Sequence, residues 1–178
     1  MNKTEKKFES IVGPLRDGFI LVKVPVEKIN KIEGFLGEII EAKKSEVIHQ
    51  LNGNNEEKRW RTGLMGEAAI EEYLGIEIID WTTGDSKKYS KPDVKKLGIG
   101  VKNSKWGNFP LIYKHNTYPQ VICIQTGIDE ILICGVASVD VLNTYQDDSL
   151  VLDWRAKYYG GKTGFYGFAY LEPLENYF

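Results

Sequence analysis

The residues whose types and spacing suggest chemistry are Asp93 and Lys102. Pro92 precedes the aspartate and favours an extended backbone, and the lysine lies near the end of a β-like run, Ile99–Asn103. A hairpin of two short strands would bring the carboxylate and the ammonium group side by side at one end. Such a pair suits a metal-assisted phosphodiester site. On these two residues alone, an ordinary ion pair on a surface hairpin is the simpler interpretation.

A third candidate, Glu67, lies on a helix predicted from about Glu56 to Leu74. Residues three, four and seven positions apart share one face of a helix. The residues that share this face with Glu67 are Trp60, Leu64, Ala68 and Glu71. A carboxylate at the boundary of a buried stripe is costly without a role, which favours a functional group. The alternative is an ion pair within the helix, with Arg59 or Arg61.

Glycines set limits on this helix. Gly75 follows the last turn and is predicted to end it. Gly63 and Gly66 lie inside the helix, where glycine lowers stability. They therefore predict close approach of another backbone or of a substrate on that side.

Length and composition indicate an ordinary globular protein. The chain has 178 residues, of which 42% are hydrophobic and 27% charged, enough to form one domain with a sizeable core. It contains no apolar run of membrane-spanning length and no secretory signal at its charged N-terminus. We therefore expect a single domain over residues 1–178, located in the cytoplasm and without membrane contact.

Positive charge is concentrated between residues 87 and 105. Seven lysines and one acid give this window a net charge of +6, whereas the whole chain carries −2. A focused basic face on an acidic body suits a polyanion that binds at one place, and the alternative is a solvated lysine-rich loop. Aromatic residues and cations also alternate from Trp106 onwards, where they could stack on bases or fill a core. The candidate nucleic-acid contacts are Lys87, Lys88, Lys91, Lys95, Lys96, Lys105 and Trp106.

Cysteine, histidine and glycine patterns argue against other chemistries. Cys123 and Cys134 are predicted to lie opposite each other in a hairpin, as reduced core thiols. The distant residues His49 and His115 do not complete a zinc-type spacing with them. The glycine-containing loop at 159–164 lacks the Walker spacing, so a nucleotide-binding interpretation is weak.

The elements that must position these residues fall into three predicted parts. Residues 1–55 contain an N-terminal strand and helices, residues 56–136 form the core, and residues 137–178 contain a C-terminal helix and strands. A helix is expected from Val26 to Gln50, and Ser138 is expected to cap a short helix to Tyr145. The predicted strands are Phe19–Val24, Ile76–Trp81, Val121–Gln125, Glu130–Val136, Leu150–Trp154 and Phe165–Leu171.

The order of these motifs resembles the PD-(D/E)xK nuclease superfamily. A helix with Glu67, a Pro92–Asp93 pair and a strand with Lys102 follow one another as in that group, over roughly residues 56–136. The string from Gly63 to Glu67 is similar to the first-helix motif of small phage-type members. The resemblance implies an α/β class with a restriction-endonuclease-like core, in which helices flank a central mixed β-sheet.

The resemblance also implies roles for single residues. In that superfamily the aspartate binds Mg²⁺, which corresponds to Asp93 here. The lysine, Lys102 here, orients or activates the attacking water and stabilises developing charge. The helix glutamate, Glu67 here, helps to hold the metal. Gln125 resembles a polar residue that some members place near the site.

Two departures from the superfamily pattern stand out. The second acid should lie two residues before the lysine, where this chain has Gly100. Because Mg²⁺ needs several oxygen ligands, either Glu67 takes the missing place, with the Val101 carbonyl and waters, or the site is crippled. In addition, no helix is evident in Trp106–Pro119, between the lysine strand and the next strand, which leaves the order of strands open.

The function implied by the resemblance is a Mg²⁺- or Mn²⁺-dependent nuclease, an endo- or exonuclease acting on DNA. It would serve phage or host-defence DNA processing, in the host cytoplasm if phage-encoded. The alternative is a catalytically weakened relative that binds nucleic acid or, like an inhibitor, a protein. Gly100 favours the alternative, whereas Glu67, Asp93 and Lys102 together favour the enzyme. Substrate strandedness and homo-oligomer formation are left open.

Overall fold

The structure is a computed structural model that describes residues 1–43, 54–82, 92–152 and 161–178. The helices of these residues are α1 (Lys3–Val12), α2 (Val26–Lys43), α3 (Asn54–Leu74) and α4 (Val139–Thr144). The strands are β1 (Ile20–Lys23), β2 (Gly100–Lys105), β3 (Leu111–Tyr113), β4 (Gln120–Gln125), β5 (Glu130–Ala137), β6 (Gln146–Asp147) and β7 (Lys162–Phe165). Short 3₁₀ helices lie at Gly13–Gly18, Asp148–Leu150, Phe168–Tyr170 and Leu174–Tyr177.

Four of these strands form a mixed sheet in the order β1-β5-β4-β2. β4 and β5 form an antiparallel hairpin, β1 pairs antiparallel with β5, and β2 pairs parallel with β4 at the end of the sheet. This confirms the predicted mixed α/β class with a central mixed sheet. The strands β3, β7 and β6 form a second, antiparallel sheet.

The connection between the parallel strands β2 and β4 contains a strand instead of a helix. Parallel neighbours usually need a long crossover, most often helical. Here the crossover contains β3, which leaves the main sheet and pairs with β7. The sequence correctly indicated that no helix lies in this segment.

Helix α3 packs closely on one face of the main sheet. Leu64 and Ala68 are buried there among apolar side chains of β1, β4 and β5. At Gly66 an added Cβ would lie 2.6 Å from the Cβ of Asn103, so only glycine allows this approach. Gly75 ends the helix with φ +66°, and its N–H donates to the carbonyl of Glu71. The predictions for Gly66 and Gly75 are thereby confirmed. The close approach predicted at Gly63 is wrong, because an added Cβ there would meet no described atom within 4 Å.

The opposite face of the main sheet is covered by α1 and by the C-terminal segments. Its buried side chains include Phe8 of α1, Ile122 and Ile124 of β4, and Phe165 of β7. Helix α1 begins with a capping box, in which Asn2 and Glu5 satisfy each other's backbone N–H groups. In the described residues, no helix has the length and apolarity needed to cross a membrane.

Two predicted strands are wrong. Ile76–Trp81 does not form a strand, because the N–H groups of Ile78 and Ile79 donate to the carboxylate of Glu71 instead of to another strand. Phe165–Leu171 is not a strand either. β7 already begins at Lys162 and ends at Phe165, and a 3₁₀ turn follows.

Other boundaries shift or fall outside the described residues. The helix predicted to reach Gln50 is described as far as Lys43, and Leu150 ends a 3₁₀ helix instead of beginning a strand. His115 is exposed, and His49 lies outside the described residues. Ser138 caps α4 as expected, since its Oγ accepts from the N–H of Val141.

The cysteines are free but not directly opposite each other. A register shift after Ile122 pairs Cys123 with Ile133 and leaves Cys134 as the extra residue of β5. Burial raises the pKa of both thiols, so they are poorly reactive groups of the core.

Candidate active site

Asp93 is held against β2 by a very short hairpin. Val94 and Ile99 form a single antiparallel bridge, closed by a turn in which Gly98 has φ +64°. One carboxylate oxygen of Asp93, Oδ2, accepts the N–H of Val101 at 2.7 Å. The predicted hairpin is therefore present in its shortest form, and it fixes Asp93 beside the strand that carries Lys102.

The backbone of β2 turns its groups alternately toward β4 and away from it. The N–H of Gly100 donates to Pro119 and that of Trp106 to Gln125, so the even-numbered residues bond to β4 and its flanks. Because N–H and C=O of one strand residue point the same way, Val101 directs both groups to the outer edge of β2. Its N–H meets Asp93 there, so its carbonyl lies on the same side as the aspartate.

The charges of Asp93 and Glu67 act on the ammonium group of Lys102. Burial lowers the pKa of its ammonium group, and the negative charges of Asp93 and Glu67 oppose that shift. Its Nζ is 5.8 Å from the centre of the Tyr113 ring. We call Glu67, Asp93 and Lys102 the charge cluster, because each of the three acts on the pKa of another.

Glu67 lies on α3 and is partly buried. Its surroundings disfavour the ionised carboxylate. Burial raises its pKa well above the ordinary value, and the charges of Asp93 and Glu71 raise it further. Lys102 opposes the shift only in part. The burial and the neighbouring acids therefore favour the protonated form.

The alternative partners of Glu67 are engaged elsewhere. Arg59 pairs with Glu56, and Arg61 binds Glu33 at 2.6 Å and Glu57 at 2.8 Å. The ion pair within the helix that would have explained Glu67 as a surface residue is thus not formed.

The pKa of Asp93, like that of Glu67, is raised. Burial raises its pKa, although the N–H of Val101 and the charge of Lys102 lower it. Two carboxyl groups that both resist ionisation, with a backbone carbonyl on the same edge, suit a hard divalent cation. Among the described residues, no group of three or more His, Cys, Asp or Glu side chains could hold a metal ion. A cation here would therefore need backbone, amide or water oxygens in addition.

The position of the missing second acid is filled from the neighbouring strand. Gly100 pairs with Gln120 in the β2–β4 register. An added Cβ at Gly100 would lie 2.2 Å from Oε1 of Gln120 and 2.8 Å from its Nε2. Strand β2 therefore cannot carry an acid at this position while the amide of Gln120 remains there.

The structure adds Tyr113, Tyr118 and Lys162 to the surroundings of the cluster. Lys162 pairs with Tyr113 across β7 and β3, and its Nζ is 5.1 Å from the ring centre. Burial and then the charge of Lys102 lower the pKa of Lys162 to about 8. The pKa of Tyr118 is raised, by burial first and then by the charge of Asp93. The sequence signal for Lys162 is its place in a short strand. Thr163 and Phe165 share one face of that strand, which puts Lys162 on the other face.

The predicted nucleic-acid contacts are spread around the site. Lys95 and Lys96 are exposed on the turn after Asp93, and Lys105 is exposed at the end of β2. The predicted contacts that lie outside the described residues are Lys87, Lys88 and Lys91.

Two predicted site residues lie away from the charge cluster. The Trp106 indole packs edge-on against Phe8, and its N–H donates to the carboxylate of Glu9. Gln125 pairs with Lys105, three residues beyond Lys102, and its amide donates to the carbonyl of Gly127. These contacts give both side chains a packing or turn-stabilising partner.

In comparisons with known proteins, no family model matches this chain, and neither a curated protein nor a solved structure is significantly similar to it. The function must therefore be inferred from the residues and their geometry alone.

Proposed function

We propose that this protein is a Mg²⁺-dependent nuclease that hydrolyses phosphodiester bonds in DNA. The observation that carries the proposal is the charge cluster, two acids with raised pKa and a lysine with lowered pKa at one edge of the sheet. Perturbed titratable groups that face one another are typical of catalytic sites. Phage or host-defence DNA processing in a cytoplasm, as the superfamily resemblance implies, is the setting we propose.

The residues that would hold Mg²⁺ are Asp93, Glu67 and the Val101 carbonyl. Asp93 has one oxygen free of the Val101 N–H, and waters or phosphate oxygens complete the shell that Mg²⁺ prefers. When bound, the ion polarises the phosphate and lowers the pKa of a water ligand. Because both carboxyl groups must ionise to bind it, metal affinity should rise with pH.

Lys102 supplies the positive charge that acts on the reacting groups. Its ammonium group donates to the attacking water or to a phosphate oxygen and neutralises charge that develops there. The lowered pKa of Lys102 brings proton exchange closer to neutral pH. Lys162 adds a second cation over the same Tyr113 ring, where it meets a neighbouring phosphate.

The second candidate function is nucleic-acid binding without cleavage. The neutral amide of Gln120 at the place of the second acid favours it, because fewer charged ligands bind a divalent cation more weakly. The exposed Lys95, Lys96 and Lys105 would serve either function.

The decisive experiment is a cleavage assay on end-labelled single- and double-stranded DNA with Mg²⁺, Mn²⁺ or EDTA. We expect metal-dependent cleavage by the wild type and its loss in Asp93→Asn and in Lys102→Ala. Asp140→Asn makes the same chemical change at an exposed position of α4 and should retain full activity. DNA binding without cleavage under every condition would replace the nuclease by the binding module, and absence of both would overturn the proposal.

A further inference from the structure

Gln120 carries a buried carbonyl oxygen that no described group satisfies. The residue is only 4% exposed, and its Oε1 has no hydrogen-bond partner among the residues that the structure describes. Leaving a buried polar atom unpaired destabilises the fold, so such atoms are rare and call for an explanation.

This oxygen lies beside Gly100, the position at which the second acid of the superfamily pattern would stand. Gln120 faces Gly100 across the parallel ladder, so its side chain lies on the face of the sheet to which Gly100 and Lys102 belong. Its Oε1 is 2.2 Å from the point where a Cβ of residue 100 would stand. The amide therefore occupies the space in which an acid side chain from β2 would begin. Its neighbour Tyr118 lies within the electrostatic reach of Asp93.

The chemistry of the amide matches the gap in the ligand set. Side-chain amide carbonyls are hard oxygen ligands that bind Mg²⁺, Mn²⁺ and Ca²⁺ alongside carboxylates. A cation would satisfy the lone pairs of Oε1, which the fold leaves unused. Because the amide is neutral, the site would hold one negative charge fewer than a site with two strand-borne acids.

We propose that Gln120 is a metal ligand that replaces the missing second acid, so that β4 completes the site which β2 leaves open at Gly100. This inference rests on the proposed function, since it names a ligand of the same site. It explains together why residue 100 is glycine, why Gln120 is buried and why its oxygen lacks a donor.

The test is direct binding of Mn²⁺ to the full chain, followed by the electron paramagnetic resonance signal of the free ion and by calorimetry. Gln120→Glu adds a charged oxygen at the same place, and we expect affinity to rise about tenfold or more. Gln120→Leu removes the oxygen and should weaken binding about tenfold. Gln125→Glu is the matched control, because it adds the same charge on the same strand away from the cluster, and it should stay within about twofold.

Thermal unfolding with and without Mn²⁺ checks that the variants fold. Gln120→Glu buries a carboxylate, so we expect a lower Tm without the ion and a larger gain when Mn²⁺ is added. A further variant, Gly100→Asp combined with Gln120→Ala, returns the oxygen to β2 in the space that the amide vacates. It should bind Mn²⁺ at least as tightly as the wild type.

The outcomes separate the two proposals. If the wild type binds Mn²⁺ through Asp93, as shown by loss in Asp93→Asn, while Gln120→Glu leaves the affinity unchanged, the role of Gln120 is overturned and the nuclease proposal stands. If the wild type binds no Mn²⁺, both fail. Should Gln120→Leu not fold, the affinities of Gln120→Glu and of the double variant still decide.

Discussion

Two glutamates one turn apart on α3 show how differently the fold treats the same side chain. Glu71 is 5% exposed, and its carboxylate accepts from the ammonium group of Lys28 and, at 2.8 Å, from the N–H groups of Ile78 and Ile79. Burial raises its pKa, but these hydrogen bonds outweigh that effect and the pKa is lowered. Both oxygens of this buried carboxylate therefore have a donor.

Glu67, four residues earlier on the same face, has the opposite surroundings. Its nearest charged neighbours include two acids, Asp93 and Glu71, and its pKa is raised well above the ordinary value. Glu71 joins the helix to the segment that follows it, whereas no hydrogen bond or ion pair of the described residues supports the charge of Glu67 in the same way. The difference teaches that burial alone does not mark a functional carboxylate. A partly buried carboxylate whose charge the fold leaves unsupported is the better candidate.

The largest effect should come from Glu67→Gln, which keeps the shape of the side chain and removes its charge. We expect Mg²⁺-dependent cleavage to fall at least about a hundredfold, because a metal ligand is lost, while the protein folds normally. Initial rates on the same DNA substrate measure it. Unchanged rates would show that Glu67 is not part of the active site and would contradict the contrast drawn with Glu71.

The next effect concerns stability, for which Glu71 should matter more than Glu67. Glu71→Gln should lower the free energy of unfolding by about 2–3 kcal/mol, because Lys28 and two backbone N–H groups lose a charged acceptor. Glu67→Gln should leave it unchanged or raise it. Urea unfolding at neutral pH in EDTA compares the pair. Equal losses in both variants would mean that Glu67 is also structural.

A smaller effect is expected at Lys162, which lies near the charge cluster and whose pKa is about 8. Its ammonium group is protonated below that value, so DNA affinity should fall as pH rises through about 8. Lys162→Met should bind DNA about tenfold more weakly and lose this pH dependence. Lys162→Arg stays charged throughout and should keep the affinity at pH 9. An unaltered pH profile in Lys162→Met would place the phosphate contact elsewhere.

The smallest effect is a slope of stability with pH. Between about 4.3, the ordinary glutamate pKa, and the raised pKa of Glu67, the folded state binds more protons than the unfolded state. The free energy of unfolding should therefore fall as pH rises, by at most about 1.4 kcal/mol per pH unit. Glu71 acts in the opposite direction, since its contribution is complete above about pH 4.3 and is lost as pH falls through its lowered pKa.

Urea unfolding of the wild type and Glu67→Gln from pH 5 to 8, in EDTA, measures the slope. Because the charges of Glu67 and Asp93 act on each other, the difference between the two proteins reports the ionisation of Glu67 together with its effect on Asp93. Parallel curves for the two proteins would show that Glu67 ionises normally.

The contacts of Glu71 also show which parts of the fold the sequence could predict and which it could not. The hairpin of β4 and β5 and the end of α3 at Gly75 follow from local patterns, and the sequence predicted them. Ile76–Trp81 has the composition of a strand, but Glu71 takes the N–H groups that a neighbouring strand would need. An apolar pattern predicts extended backbone, whereas the choice of hydrogen-bond partner is a tertiary property.

The candidate site was predictable only where order along the chain sufficed. Motif order proposed Glu67, Asp93 and Lys102, which the structure brings into electrostatic contact. The places of Gln120 and Lys162 near the site could not be predicted in this way, because they follow from the register of strand pairing. Gln120 lies opposite Gly100, and Lys162 lies opposite Tyr113. The superfamily resemblance indicates Gln125 of β4, but the register places Gln120 opposite Gly100.

The close packing of Gly66 on Asn103 has a consequence for how this protein can evolve. The amide of Asn103 also donates to the carbonyl of Thr62, so these residues set the depth at which α3 lies on β2, one residue before Glu67. A larger residue at position 66 would push the helix outward and separate Glu67 from Asp93 without changing any charge. Among descendants of this sequence, positions 66 and 103 should therefore change only as a pair, with the sum of their volumes kept nearly constant.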